Sequence, residues 1–216
     1  MERIRGLSSE ASRVPSTLHG QLFLLAFDPE QGRFDERDSA LFGLALGAAM
    51  LTELYLTGYL VERDGLPVPG KAASPDDQVL HSAFAQVGVH NRATWAELIA
   101  GHHGSATSTV RDQLITEGWL RNGRPAVLAI PAGLEPYDAC RVGALADEVA
   151  GALRNAITGK PAEPWLLACG LLAVLAQLPG LAGFVATVNR HRLQELVRDA
   201  IAPVSGLAEA IQSRSA

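Results

Sequence analysis

The stretch LFGLALGAAMLTELYL, Leu41–Leu56, decides how the rest of the chain is read. Its side chains are apolar almost all the way round a helical wheel, so it has no face to offer water. Such a helix belongs at the centre of a bundle, enclosed by others. Asp38 or Ser39 can cap its start, the run extends to Thr57, and Gly58 is a natural C-terminal stop. Gly43 and Gly47 inside it are close-packing positions. Glu53 is the lone acid. An unpaired buried charge is costly, so Glu53 is expected to reach a helix end or a polar partner in preference to serving as a functional carboxylate.

Working outward, Leu22 to Phe27 is a short apolar run closed by Asp28-Pro29, a buried strand or a helix start. Tyr59 to Glu62 alternates like a strand and leads into a Pro- and Gly-rich loop at 65–70. Ser74-Pro75-Asp76-Asp77 has a cap, a proline and first-turn acids, so it opens a helix whose stripe is Leu80, Phe84 and Val87 and whose stop is Gly88. Thr94-Trp95-Ala96-Glu97 is a capping box for a short helix ending near Gly101, and a further helix runs from about Ser105 to Glu117, with Gly118 after it. Trp119-Leu120, Asn122-Gly123 and Val127 to Ile130 spell a hairpin with a type I′ turn. Pro136 opens a long helix with Val142, Leu145, Val149 and Leu153 on one face. Two apolar helices follow, the second turning polar at Asn189 and continuing to about Ala200. A last short helix covers Val204 to Ile211.

The bulk properties fit one globular domain. The chain has 216 residues, 48% hydrophobic and 19% charged, with a formal net charge of -5. That charge argues against a broad nucleic-acid surface. Residues 1–18 carry Arg3, Arg5 and Arg13 without an apolar core segment, so they are read as a flexible arm and not a signal peptide. Residues 19–213 are the domain. Trp165 to Val188 is nearly all apolar, but Gln177 and Pro179-Gly180 divide it into pieces shorter than the roughly 20 residues of a bilayer span. It is read as a buried helix pair. Cys140 and Cys169 are both expected to be buried free thiols.

No chemistry-bearing pattern rises above its surroundings. His102-His103 is the only adjacent histidine pair, with no third ligand at metal spacing. His19, His81, His90 and His191 are isolated, and all six histidines are read as ordinary surface or loop residues. There is no G-x-S-x-G elbow and no phosphate-binding glycine loop. Residues 94–130 resemble a winged helix-turn-helix, yet the would-be recognition helix STVRDQLITEG has one arginine against two acids, a poor match for phosphates. The expectation is a protein that is not an enzyme, with no cofactor and no metal.

Several stretches, taken in order, resemble the Golgi phosphoprotein 3 family: QLFLLAFDPEQGRF (21–34), AAMLTELYLTGYLVE (48–62), SPDDQVLHSAF (74–84), TWAELIAG (94–101) and DQLITEGWLRNG (112–123). Order and spacing agree over residues 21–190. The resemblance implies a compact bundle of amphipathic helices around an apolar central one, with small hairpins. Its eukaryotic members bind phosphatidylinositol 4-phosphate on Golgi membranes, through a tryptophan before the first helix, an arginine in it and two arginines on the helix leading to the hairpin. The matching positions here are Asp38, Gly47, Gly104 and Thr107. None can form the charged fork that makes phosphate recognition specific. Nearby substitutes are Phe34, Arg37 and Arg111. The family's membrane-dipping hairpin corresponds to 124–130.

The fold expected is therefore mainly α, a single-domain bundle with small β-hairpins. The function expected is a bacterial-type, non-enzymatic member of that family with phosphatidylinositol 4-phosphate recognition weak or lost. It would be cytoplasmic and attach peripherally to acidic lipid at the inner membrane face. The lipid-facing residues would be Phe34, Arg37, Arg111, Arg121, Arg124, Val127, Leu128 and Ile130, charge and shallow insertion acting together. The alternatives are a winged-helix regulator and a protein–protein adaptor without a lipid role.

Overall fold

The computed structural model describes residues 14–34, 39–71, 73–90, 92–123 and 133–215. The described elements run α1 (Leu18–Leu25), β1 (Phe27–Asp28), β2 (Arg33–Phe34), α2 (Ser39–Leu56), β3 (Leu60–Arg63), β4 (Leu66–Pro69), α3 (Gln78–Val89), α4 (Trp95–Thr116), β5 (Leu120–Asn122), β6 (Leu134–Pro136), α5 (Ala139–Ile157), α6 (Pro164–Leu175), a 3₁₀ turn (Pro179–Leu181), α7 (Ala182–Thr187), α8 (Arg190–Arg198) and α9 (Ala202–Ser215). The six strands form three separate antiparallel pairs, β1–β2, β3–β4 and β5–β6. The fold is mainly α.

α2 is the axis. Leu44, Leu46, Ala48, Leu51 and Leu54 are at most 1% exposed, and α1, α3, α4, α6 and α9 pack around them. This is why the helix is apolar on every side: each direction from its axis meets another helix, so no stripe needs to be polar. Gly58 ends the segment with φ +74°, the left-handed turn that favours glycine. α4 and α9 cross closely, because a Cβ on Gly206 would stand 2.6 Å from the Trp95 Cβ. α6 and the turn-helix after it bend by 109° at their break, and among the described residues no single helix is long and apolar enough to cross a membrane.

The structure departs from the sequence reading at identifiable places. Leu22–Leu25 is helix, the second half of α1, and the strand pairing starts only at Phe27. The 65–70 loop is a strand: Leu66–Pro69 pairs with Leu60–Arg63, with Asp64 and Gly65 turning at positive φ. α3 starts at Asp77, whose carboxylate accepts from the Leu80 N–H, and runs past Gly88 to a cap at His90. The two helices expected over 94–117 are one, α4. Gly101 and Gly104 sit inside it, each costing about 1 kcal/mol relative to alanine. Burial of Leu98, Ile99, Ala106, Val110 and Leu114 along one face outweighs that cost. The corner that a helix-turn-helix needs is therefore absent.

Further corrections follow the chain. Asn122 pairs with Leu134, and the Gly123 N–H donates to the Gly133 carbonyl, so Asn122-Gly123 lies within the β5–β6 ladder and is not its turn. Residues 127–130, the expected second strand, lie outside the described residues. Pro136 ends β6, and α5 is opened instead by Asp138, whose carboxylate accepts from Cys140 and Arg141. The polar continuation at Asn189 is a new helix, because Val188 is extended and the Asn189 side chain caps α8. α9 is longer than the Val204–Ile211 expected. Cys140 is exposed, one residue inside α5, while Cys169 is buried. His19 is not a surface residue; it is fully buried.

Candidate functional site

Glu53 and His19 form the polar centre of the bundle. The Leu18 N–H, at the start of α1, donates to Glu53 Oε2 at 2.8 Å. The acid of α2 thus satisfies a free N–H at a helix start, where a negative charge is favoured by the peptide dipoles. His19 Nδ1 lies 3.3 Å from the same oxygen, a close electrostatic contact without hydrogen-bond alignment. Gln113 turns its amide nitrogen to Asp77 Oδ2 (2.6 Å) and Glu117 Oε1 (2.9 Å). Its carbonyl oxygen therefore faces His19 Nε2 at 3.0 Å, which makes that ring nitrogen the donor. No sequence pattern pairs residues 94 positions apart, so this connection was not legible beforehand.

The chain of contacts leads outward to a cleft of about 830 Å³ between α3 and α4, with Asp76, Asp77, Asp112, Gln113 and Glu117 along it. Its wall is acidic. An anion entering here meets carboxylates, so the cleft is unsuited to a phosphate. Among the described residues no three His, Cys, Asp or Glu side chains group to hold a metal ion. His102 and His103 lie on the α4 backbone, and their side chains are outside what the structure describes.

Of the residues expected to meet lipid, the three described ones, Phe34, Arg111 and Arg121, lie on β2, α4 and β5. Phe34 is half-buried, its ring 5.5 Å from Phe23 and 5.4 Å from Phe27, and β2 which carries it lies against β6. Arg121, on β5, is therefore on the neighbouring hairpin, and its Nη2 is 3.3 Å from Glu135 Oε2 across the ladder. Arg111 stands apart on α4, and its guanidinium bonds Asp112 Oδ1 at 2.9 Å. Of the positions expected from the resemblance to correspond to the family's pocket, Gly47 is buried in α2, Gly104 is exposed on α4 and Thr107 is half-buried. A Cβ at Gly104 would meet nothing within 4 Å. Arg37, Asp38, Arg124, Val127, Leu128 and Ile130 lie outside the described residues.

Two further side chains define the chemistry available. The Cys169 thiol is enclosed on α6 and burial pushes it up to about 12, so it is a packed apolar group at neutral pH. Glu97, in the capping box that opens α4, is held below the ordinary carboxylate value by the Thr94 backbone N–H and then by the Thr94 hydroxyl.

The chain has no match among curated proteins. The profile of the Golgi phosphoprotein 3 (GPP34) family matches residues 18–213, from the first residue of α1 nearly to the end of α9. Nearly the whole described bundle is thus covered, and the chain belongs to the Golgi phosphoprotein 3 family.

Proposed function

We propose that the protein is a non-enzymatic peripheral adaptor that meets anionic membrane by general charge attraction and has weak or no selectivity for phosphatidylinositol 4-phosphate. The observation that carries this reading is the state of the cations. The four positions corresponding to the family pocket hold Asp38, Gly47, Gly104 and Thr107, and the described arginines among the expected lipid-facing residues, Arg111 and Arg121, each rest on a carboxylate. A phosphate monoester is selected by guanidinium forks free to close on it, and these two are already engaged. Diffuse attraction needs no such fork. The arm with Arg3, Arg5 and Arg13, together with Arg37 and Arg124, would supply it, and Val127, Leu128 and Ile130 would add shallow insertion.

The absence of catalysis is supported by access. The buried His19–Glu53 pair has the right groups for acid–base work, but His19 is 0% exposed, and no substrate reaches it.

Vesicle co-sedimentation tests the reading. Vesicles with phosphatidylinositol 4-phosphate and vesicles of equal charge from phosphatidylserine should bind alike, and both should release the protein as salt rises. A clear preference for the phosphoinositide at matched charge overturns it. The Gly104→Arg, Thr107→Arg double variant should raise that preference, because the space at Gly104 is open.

A further inference from the structure

We propose that the groove between α8 and α9 binds a single-chain anionic amphiphile, an acyl or alkyl chain ending in a phosphate or carboxylate. α8 reads RHRLQELVR, and Arg190, Leu193, Gln194, Val197 and Arg198 fall at i, i+3, i+4, i+7 and i+8, one face of the helix. All five line a groove of about 770 Å³ together with Val174 and Leu175 at the end of α6 and Val185 of α7. Leu193 is buried at its base, while Val174, Leu175, Val185 and Val197 are half-exposed walls. The volume is that of a small-molecule pocket.

The charges on α8 separate cleanly. His191 and Arg192 both turn to Glu195, at 3.3 and 3.0 Å. That carboxylate therefore serves the outer stripe of the helix. Arg190 and Arg198, on the groove face, have no carboxylate within ion-pairing distance among the described residues. They are exposed, about 12 Å apart along the axis, with Leu193 and Val197 between them. Glu209 is the one acid on the rim, so two guanidiniums face one carboxylate in a chain whose net charge is -5. An anion is drawn here, and each guanidinium can form two parallel hydrogen bonds to it.

The apolar walls specify the rest of the ligand. A bare phosphate would leave the valines and leucines wet, and an uncharged chain would leave the arginines without a partner. A molecule with both parts satisfies both. A partner helix fits less well, because α8 is nine residues long and a stable protein interface covers about 800 Å² per side. This site uses α6, α7, α8 and α9, not the α2 and α4 positions discussed above, and it does not rest on the vesicle reading.

Calorimetry with the full chain and dodecyl phosphate, kept below its micellar concentration, tests the proposal. Saturable binding at one site per chain is expected. The Arg190→Gln, Arg198→Gln variant should bind at least about tenfold more weakly with an unchanged melt, since both side chains are exposed and have no ion-pair partner among the described residues. Dodecanol and inorganic phosphate should each bind at least about tenfold more weakly than dodecyl phosphate. A Val185→Asp variant, read beside its own melt, should lose the chain contribution and reduce dodecyl phosphate to the affinity of inorganic phosphate. Undiminished binding by the double-glutamine variant overturns the proposal, and so does dodecanol or inorganic phosphate binding as tightly as dodecyl phosphate. Because the readout is binding of a monomeric soluble amphiphile, with no vesicle present, this site and the membrane reading fail separately.

Discussion

Two arginine-bearing surfaces of this bundle are built from the same residue types and differ in what neutralises them. On α4 and β5, Arg111 and Arg121 are met by Asp112 and Glu135, and the neighbouring cleft is lined by Asp76, Asp77 and Glu117. On α8, Glu195 takes His191 and Arg192, and Arg190 and Arg198 are left beside half-exposed valines and leucines. The difference teaches that counting arginines near an aligned position says little about anion binding. What matters is whether a carboxylate has already closed the fork, because a surface pair is worth at most about 1 kcal/mol yet still occupies the donors.

The largest expected effect comes from removing the support both surfaces share. α2 packs on α4, which carries the first, and on α9, which lines the second. Leu51→Ala should destabilise the fold by about 2–5 kcal/mol in denaturant melts. Loss of one surface with the other intact would show that they are not coupled through α2. Next is Glu53→Ala, which leaves the Leu18 N–H without its acceptor inside the bundle. A loss of about 1–3 kcal/mol is expected, and Glu53→Gln, which keeps an acceptor oxygen, should lose less.

A smaller effect belongs to the start of α4. Thr94→Ala removes the cap and should cost about 1 kcal/mol. Because Glu97 titrates below its ordinary value when folded, its share is present at neutral pH and is lost as pH falls through that depressed value. The gap between the wild-type and Thr94→Ala melts should therefore narrow in acid by the share of the hydroxyl–carboxylate bond, while the cap from the Glu97 N–H to the Thr94 hydroxyl persists. A gap that grows on acidification would contradict the assignment. Glu135→Gln sharpens the comparison most directly. Freeing Arg121 should change stability by less than about 1 kcal/mol while strengthening binding to anionic vesicles. The smallest effect is chemical: iodoacetamide should label Cys140 and spare Cys169, which is enclosed and held protonated.

Much of the fold was legible in the chain. The all-round apolar stretch at Leu41–Leu56, the box at Thr94–Glu97 and the stop at Gly118 each state their conformation locally, and Glu53 was recognisable as an acid that must find a helix end or a polar partner. Element boundaries failed where tertiary contacts outweighed local cues. Gly101 and Gly104 look like a turn, but burial along α4 holds them in helix. Leu66–Pro69 looks like a loop, but pairing with Leu60–Arg63 makes it a strand. The site was less legible: nothing local to α4 tells that Gln113 reaches His19, and nothing in RHRLQELVR tells which arginines Glu195 will take.

Taken alone, then, the order of residues determined the helical class, the identity of the central helix and the family likeness. Those properties depend on periodicity, capping and residue type, which act within a few turns of chain. Only the tertiary structure decided that His19 is enclosed beside Glu53, that Arg111 and Arg121 are neutralised, and that Arg190 and Arg198 face a groove with no carboxylate partner among the described residues. Each of these depends on distances between side chains brought together by folding. Electrostatic and hydrogen-bonding partnerships fall off within a few ångströms, so spacing along the chain does not encode them.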